Sequence, residues 1–308
     1  NFWKAIDEEI EDGAKVFVSA DGVFNQLNIE TLMDENGKYI IEKNEIYNLS
    51  NSKDLVIARR EDFIETYDKS TAMLMGNPSF AASGTDIDLG NKVSSIEALP
   101  GAEEEIKKVA KLLDGNQWQT QVKVQGEATE QAWKKMNSPR VCHIATHGFF
   151  MEESNEDDKK SQITGDFADN PLLRSGLLFT GVGELLAKNN IYDFNKKDGI
   201  LTAYEAMNLN LDHTELVVLS ACETGVGEIK SGEGVYGLQR SFIVAGAQNV
   251  IMTLFKVNDE VTQELMSDFY TQWLATGDKR AAFQSAKLKI KEKYQKPVYW
   301  GSFVLIGM

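Results

Sequence analysis

Two short stretches hold residue types that could do covalent chemistry together. RVCHIATHG, residues 140–148, is an apolar run that ends on His147 and Gly148. LVVLSACETG, residues 216–225, is a second apolar run that ends on Cys222, followed by Glu223, Thr224 and Gly225. The thiolate is the nucleophilic form of cysteine, and a free thiol of pKa ~8.5 holds little of it at neutral pH. A neighbouring histidine raises that fraction or removes the proton during attack, and then protonates the leaving amine. Gly148 lets a backbone approach closely, and the N–H groups of Gly148 and Cys222 are suited to an oxyanion hole.

Blander readings compete with this one. A lone cysteine is commonly core filler, and Cys142, in mid-strand, is expected to be a small buried hydrophobe. His143 is expected to be a hydrogen-bonded structural residue, and His213, in NLDHTE, a loop histidine. GVGEIKSGEG is rich in glycine but has no G-K-[ST], so a phosphate loop is not supported. Zinc held by Cys142, His143, His147 and Cys222 lacks the paired Cys-x-x-Cys spacing, so neither metal nor cofactor is expected. Ser220 lacks the G-x-S-x-G elbow of a serine nucleophile.

For His147 and Cys222 to meet across 75 residues, their two strands must lie side by side. Strands are expected at 14–20, 71–80, 122–125, 140–147, 175–181, 215–222, 249–257 and 302–307, with a strand or hairpin within 39–50. Helices are expected at 103–113, 130–136, 201–209, 235–247, 259–276 and 279–293. Strands alternating with helices, and too apolar to face water, predict an α/β fold with a largely parallel sheet covered on both faces. In such sheets, reactive groups gather beyond the carboxyl ends of the strands. The simplest partition is a strand-rich extension over 1–70 packed on a core over 71–308, together one unit.

A chain of 308 residues can bury a substantial core. Its formal charge of -15 repels phosphate backbones and anionic lipid surfaces, so neither direct nucleic-acid binding nor membrane association is expected. Two cysteines make no disulfide framework, which suits a reducing, cytoplasmic setting. No apolar run has the length of a membrane span and no signal peptide is visible. The sequence begins at Asn1 rather than methionine, so a piece of a longer chain is an open reading.

HIATHG and LSACETGVG resemble the CHAT family of caspase-like cysteine proteases, which are often joined to or partnered by TPR helices. SADGVFNQLNIETL, LPGAEEEIKKVAKLL, LLRSGLLFTG, DGILTAYEAMNL, GEGVYGLQRSFIVAGAQNVI and YWGSFVLIG resemble family segments in the same order, covering the chain from about residue 15. The resemblance implies a caspase-like sheet, with Cys222 as nucleophile, His147 as base and acid, and Gly148 as oxyanion-hole glycine. It also implies a cysteine endopeptidase acting on a specific protein substrate. Its expected settings are activation by a CRISPR-type RNA-guided effector and cleavage of a gasdermin, both in bacterial defence. A catalytically silent scaffold is the alternative. Ser220 stands where basic-specific relatives carry aspartate, so residue preference is not inherited, and Phe255 stands where the family's tryptophan is expected. The acidic loop 150–171, with Asp166 and Asp169, and the segment of Glu223, Thr224 and Gly225 are expected to flank the site as substrate or gating loops.

Overall fold

The computed structural model describes residues 3–20, 22–55, 70–80, 86–88, 93–150, 171–173, 175–183, 199–221, 233–255 and 258–308. The chain opens with a single helical turn, α1 (Lys4–Asp7), and two short strands, β1 (Lys15–Val18) and β2 (Glu45–Asn48). Next come the apolar strand β3 (Thr71–Pro78), the antiparallel pair β4 (Asp86–Asp88) and β5 (Val93–Ser95), and helix α2 (Pro100–Gly115). The strand β6 (Gln119–Gln125), the short helix α3 (Glu130–Lys134) and β7 (Val141–Thr146) follow. After them come β8 (Gly148–Phe150), β9 (Ser175–Leu178), β10 (Ile200–Thr202), α4 (Ala203–Ala206) and β11 (Leu216–Ala221). The chain closes with α5 (Glu233–Val244), β12 (Asn249–Thr253), α6 (Asp259–Thr276), α7 (Lys279–Tyr294), α8 (Pro297–Trp300) and β13 (Phe303–Gly307).

Eight strands form one sheet in the order β1-β2-β13-β12-β11-β7-β3-β6. Every neighbouring pair is parallel except β12 with β13, so two oppositely running parallel blocks meet there. The fold is therefore α/β, with a mainly parallel sheet flanked by helices. Alternation along each strand feeds a core on each face. Val141 and Ala145 of β7 and Leu216 and Val218 of β11 join a core built with α2, α6 and α7. Cys142 and Ile144, with Val217 and Leu219, face the opposite core, which includes Trp133 of α3 and Phe242 of α5. A second, antiparallel sheet, β10-β9-β8, grows from the end of β7.

Several elements differ from their expected bounds. Helix α2 begins at Pro100, three residues before Glu103, because proline suits the first helical turn, where its missing N–H costs nothing. The segment 201–209, expected to be wholly helical, instead starts as β10 and is helical only over Ala203–Ala206. Thr202 and Glu205 form a capping box at that switch, and β9 supplies a partner that periodicity alone does not reveal. Within 39–50, a 3-10 turn over Ile40–Glu42 precedes β2 in place of a continuous strand. Among the described residues no helix is long and apolar enough to cross a membrane.

Candidate active site

The register between β7 and β11 organises the site. The two strands run parallel and pair from Leu216 with Val141 through to Ala221 with Thr146, so they end level. His147 is the next residue of one strand and Cys222 the next residue of the other. Cys222, Glu223, Thr224 and Gly225 lie outside the described residues, as do Asp166 and Asp169. His147 and Gly148 are described.

His147 is half-buried, and its ring sits against Phe80 with centroids 5.1 Å apart. Its Nε2 is 2.9 Å from the backbone oxygen of Glu97. A carbonyl can only accept, so Nε2 carries the hydrogen and Nδ1 is left as the basic nitrogen of the neutral ring. The backbone behind the ring is held from both sides: the His147 carbonyl accepts from Leu178 N at 2.9 Å, and Thr146 Oγ1 donates to the Leu178 carbonyl at 2.5 Å. The first of these bonds also makes Gly148 and Leu177 a non-hydrogen-bonded pair of the β8-β9 ladder. The Gly148 N–H therefore faces away from β9 and is not spent on the sheet.

Beneath the strand ends lies a buried polar chain. Ser220 Oγ donates to Glu105 Oε2 at 3.0 Å, and His143 Nε2 lies 2.8 Å from Glu105 Oε1. His143 Nδ1 is 3.2 Å from the Tyr270 hydroxyl. Burial first, and the Glu105 carboxylate next, push the Tyr270 phenol well above its usual range, so it remains a donor. Tyr270 O–H then donates to Nδ1 and His143 Nε2–H donates to Glu105, which satisfies all three groups. His143 is thus a structural hydrogen-bonding residue and not a member of the site.

Cys142 is fully buried with its sulfur 3.5 Å from Met136 Sδ, and burial pushes its thiol far above the usual cysteine range. Such a thiol is inert. His213 belongs to the loop before β11, where its N–H donates to Ser138 Oγ at 2.6 Å. Ser220 is buried and committed to Glu105. No group of three or more histidine, cysteine, aspartate or glutamate residues that could hold a metal occurs among the described residues.

Two contributors were missed in the sequence. The Glu97 carbonyl is a backbone group and leaves no residue signature. Glu105 did leave one: it shares the buried stripe of α2 with Ala102, Ile106 and Val109. A carboxylate on an apolar helix face needs partners, and that was the available signal.

A model of the CHAT domain family matches residues 2–308. Tetratricopeptide repeat protein 28 of Mus musculus is 26% identical over 264 residues, covering 79% of this chain and 10% of that protein. The Homo sapiens protein of the same name is 26% identical over 258 residues, with the same coverage of 79% and 10%. The chain thus spans about a tenth of the length of these curated relatives. Among solved structures, the Arg specific cysteine proteinase gingipain R (RGPB) aligns with a TM-score of 0.45 at 9% identity, over 86% of this chain and 54% of that one. A complex of Porphyromonas gingivalis RgpB pro- and mature domains aligns with a TM-score of 0.49 at 10% identity, over 96% and 64%.

Proposed function

This chain belongs to the CHAT domain family, and from that premise we propose that it is a cysteine endopeptidase working through Cys222 and His147. The observation that carries the proposal is the level ending of β7 and β11, where Thr146 pairs with Ala221 and each strand continues into one member of the dyad. A scaffold would not require His147 to be fixed in one tautomer by the Glu97 carbonyl.

In this mechanism His147 Nδ1 takes the thiol proton of Cys222 as sulfur attacks the scissile carbonyl carbon. The carbonyl electron pair moves to oxygen, where the Gly148 and Cys222 N–H groups receive the negative charge. Collapse of the tetrahedral species expels the amine, which takes the proton from His147. The resulting thioester is hydrolysed by a water that gives its proton to Nδ1, and the thiol is restored.

The substrate in this reading is a protein. The relatives named for tetratricopeptide repeats suggest that a TPR region works beside the chain as its regulator. A CRISPR-type RNA-guided effector or a gasdermin as partner, a role in bacterial defence and a cytoplasmic location belong to the same proposal. In this reading residues 1–308 form one CHAT unit, which the continuation of the sheet through β13 into β2 and β1 of the N-terminal extension supports.

Labelling with an electrophilic thiol probe, followed by mass-spectrometric location of the adduct, tests the dyad. Cys222 is expected to react in the native chain while Cys142 stays unmodified until unfolding. Labelling should disappear in Cys222→Ala and persist in Cys142→Ala. His147→Ala should keep the thermal transition and lower peptide cleavage by about 10²–10⁴-fold. Cleavage surviving either Cys222→Ala or His147→Ala would remove the dyad.

A further inference from the structure

A crevice opens beside the level ends of β7 and β11. Thr146 and Ser220 line it from the sheet. Leu99, Gly101 and Glu105 line it from the start of α2, and Asp259 and Thr262 from the first turn of α6. Its walls are close: a Cβ on Gly101 would stand 2.7 Å from Asp259 Oδ2, so the helix starts reach this spacing only with glycine there.

The lining is acidic, with Glu105 bonded to Ser220 and His143, and it includes one unsatisfied hydroxyl. Glu105 is buried on the floor and Asp259 is exposed at the mouth. Among the described residues neither carboxylate has a lysine or arginine partner. Lys108, one turn along α2 from Glu105, is taken by Gln263 Oε1 at 2.7 Å. Thr262 is 2% exposed, and among the described residues its Oγ1 has no hydrogen-bond partner. A buried hydroxyl without a partner is costly, which makes it a position where an incoming polar group gains a bond.

Charge arithmetic sets the sign of that group. The N-termini of α2 and α6 both face the crevice, and each helix end is worth roughly +0.5 charge. Two full carboxylates outweigh them, leaving about one net negative charge. Shape narrows the choice further. The enclosed part of the crevice has room for about one water, so it takes a compact head the size of an ammonium and not a wide planar one, and any stem stays outside it. Leu99 offers an apolar rim for an alkyl stem.

We propose that this crevice is the specificity subsite of the protease and takes a lysine side chain from the residue preceding the scissile bond. The ammonium is received by Glu105, Asp259 and Thr262 Oγ1, and its methylenes lie along Leu99. A lysine ammonium is a compact point charge with three donors, which matches three oxygen acceptors better than a guanidinium fork does. The inference rests on the Cys222–His147 reading and deepens it by naming the substrate class.

The test uses covalent peptidyl probes that differ only in the residue before the electrophile: lysine, arginine, leucine or aspartate. The expected result is fastest labelling of Cys222 by the lysine probe. Asp259→Asn should lower the lysine-to-leucine rate ratio about threefold, and Glu105→Gln about tenfold or more. Because the ratio compares two probes on the same variant, any change in the nucleophile itself cancels from it. If Glu105→Gln does not fold, as judged by circular dichroism, Asp259→Asn carries the test alone. Faster labelling by leucine, arginine or aspartate, or an unchanged ratio in folded Asp259→Asn, overturns the subsite while leaving the dyad standing; the crevice then holds water only. Failure of every probe to label Cys222 overturns both.

Discussion

Glu103 is held as an anion by three donors from three parts of the chain. Lys107 Nζ reaches Oε1 at 2.6 Å, Gln125 Nε2 reaches Oε2 at 2.9 Å and Asn77 Nδ2 reaches Oε2 at 3.1 Å. These bonds, with Lys107 the largest cause, hold its carboxyl down at about 2 against an ordinary 4.5. A carboxylate depressed on folding stabilises the fold above its unfolded pKa, and that contribution fades as pH falls through the folded value. The Glu103 contribution is therefore full above about 4.5 and lost on descending towards 2. Glu103→Gln should melt about 2 °C below the parent at pH 7, with the gap closing across that window. A gap unchanged from pH 7 to pH 2 would sink the argument. Asn77 links this network to the site, since its Oδ1 accepts from Leu99 N at 2.8 Å where α2 begins. At this scale His147 was legible because its type and strand-end position carried meaning. Glu97 was not, since it reaches His147 through its backbone carbonyl, which no residue type marks.

At the scale of elements, the angle between α2 and the sheet depends on a residue with no side chain. A Cβ on Gly76 of β3 would lie 2.7 Å from Ile106 Cγ1 and 2.8 Å from the Ala102 carbonyl. Ile106 and Ala102 are in the middle of the α2 contact surface and cannot give way cheaply. Gly76→Ala should then cost about 1–3 kcal/mol through overpacking, read as a lowered urea midpoint with an unchanged slope. It should also slow peptide cleavage, because α2 carries Glu105 and follows Glu97. A variant as stable as the parent would mean that α2 is not seated against β3 as described. The seat explains which elements were readable. β7 and β11 are buried on both faces and read as continuous apolar runs. α6 buries Val261, Leu265, Phe269 and Trp273 at four-residue spacing, so its period was plain. β9 falls within the strand expected at 175–181, but its partners β8 and β10 were not legible, because strands of three residues are too short to show a period and exist through their pairing.

The whole molecule is held together where its two parallel blocks meet. β13 runs against β12 yet parallel to β2, so it joins the site-bearing block to the N-terminal strands. Side chains reinforce that join. Asn28 Nδ2 donates to the Gly301 carbonyl at 2.8 Å, and Arg280 donates to the carbonyls of Ile46 at 3.2 Å and Gly307 at 2.7 Å. The Arg280 guanidinium also stands 4.0 Å from the Tyr47 ring centre. The deepest tie is ionic: Lys287 of α7 is fully buried and pairs with Glu30, while its Nζ also donates to the Phe303 carbonyl at 2.8 Å. Burying two charges is expensive, and their attraction offsets the cost only while both are present. Lys287→Met should destabilise the chain by about 3–5 kcal/mol because it strands the Glu30 carboxylate inside the protein. Adding Glu30→Gln to Lys287→Met should recover part of that loss, since an amide is cheaper to bury than an unpaired charge. Urea unfolding of both single variants and the double variant gives the coupling directly. If the single changes simply add in the double variant, Glu30 and Lys287 are not a pair, and the N-terminal strands are held by backbone pairing alone. With coupling present, losing the tie should loosen β1 and β2 first, visible as early amide exchange in those two strands while β7 and β11 stay protected.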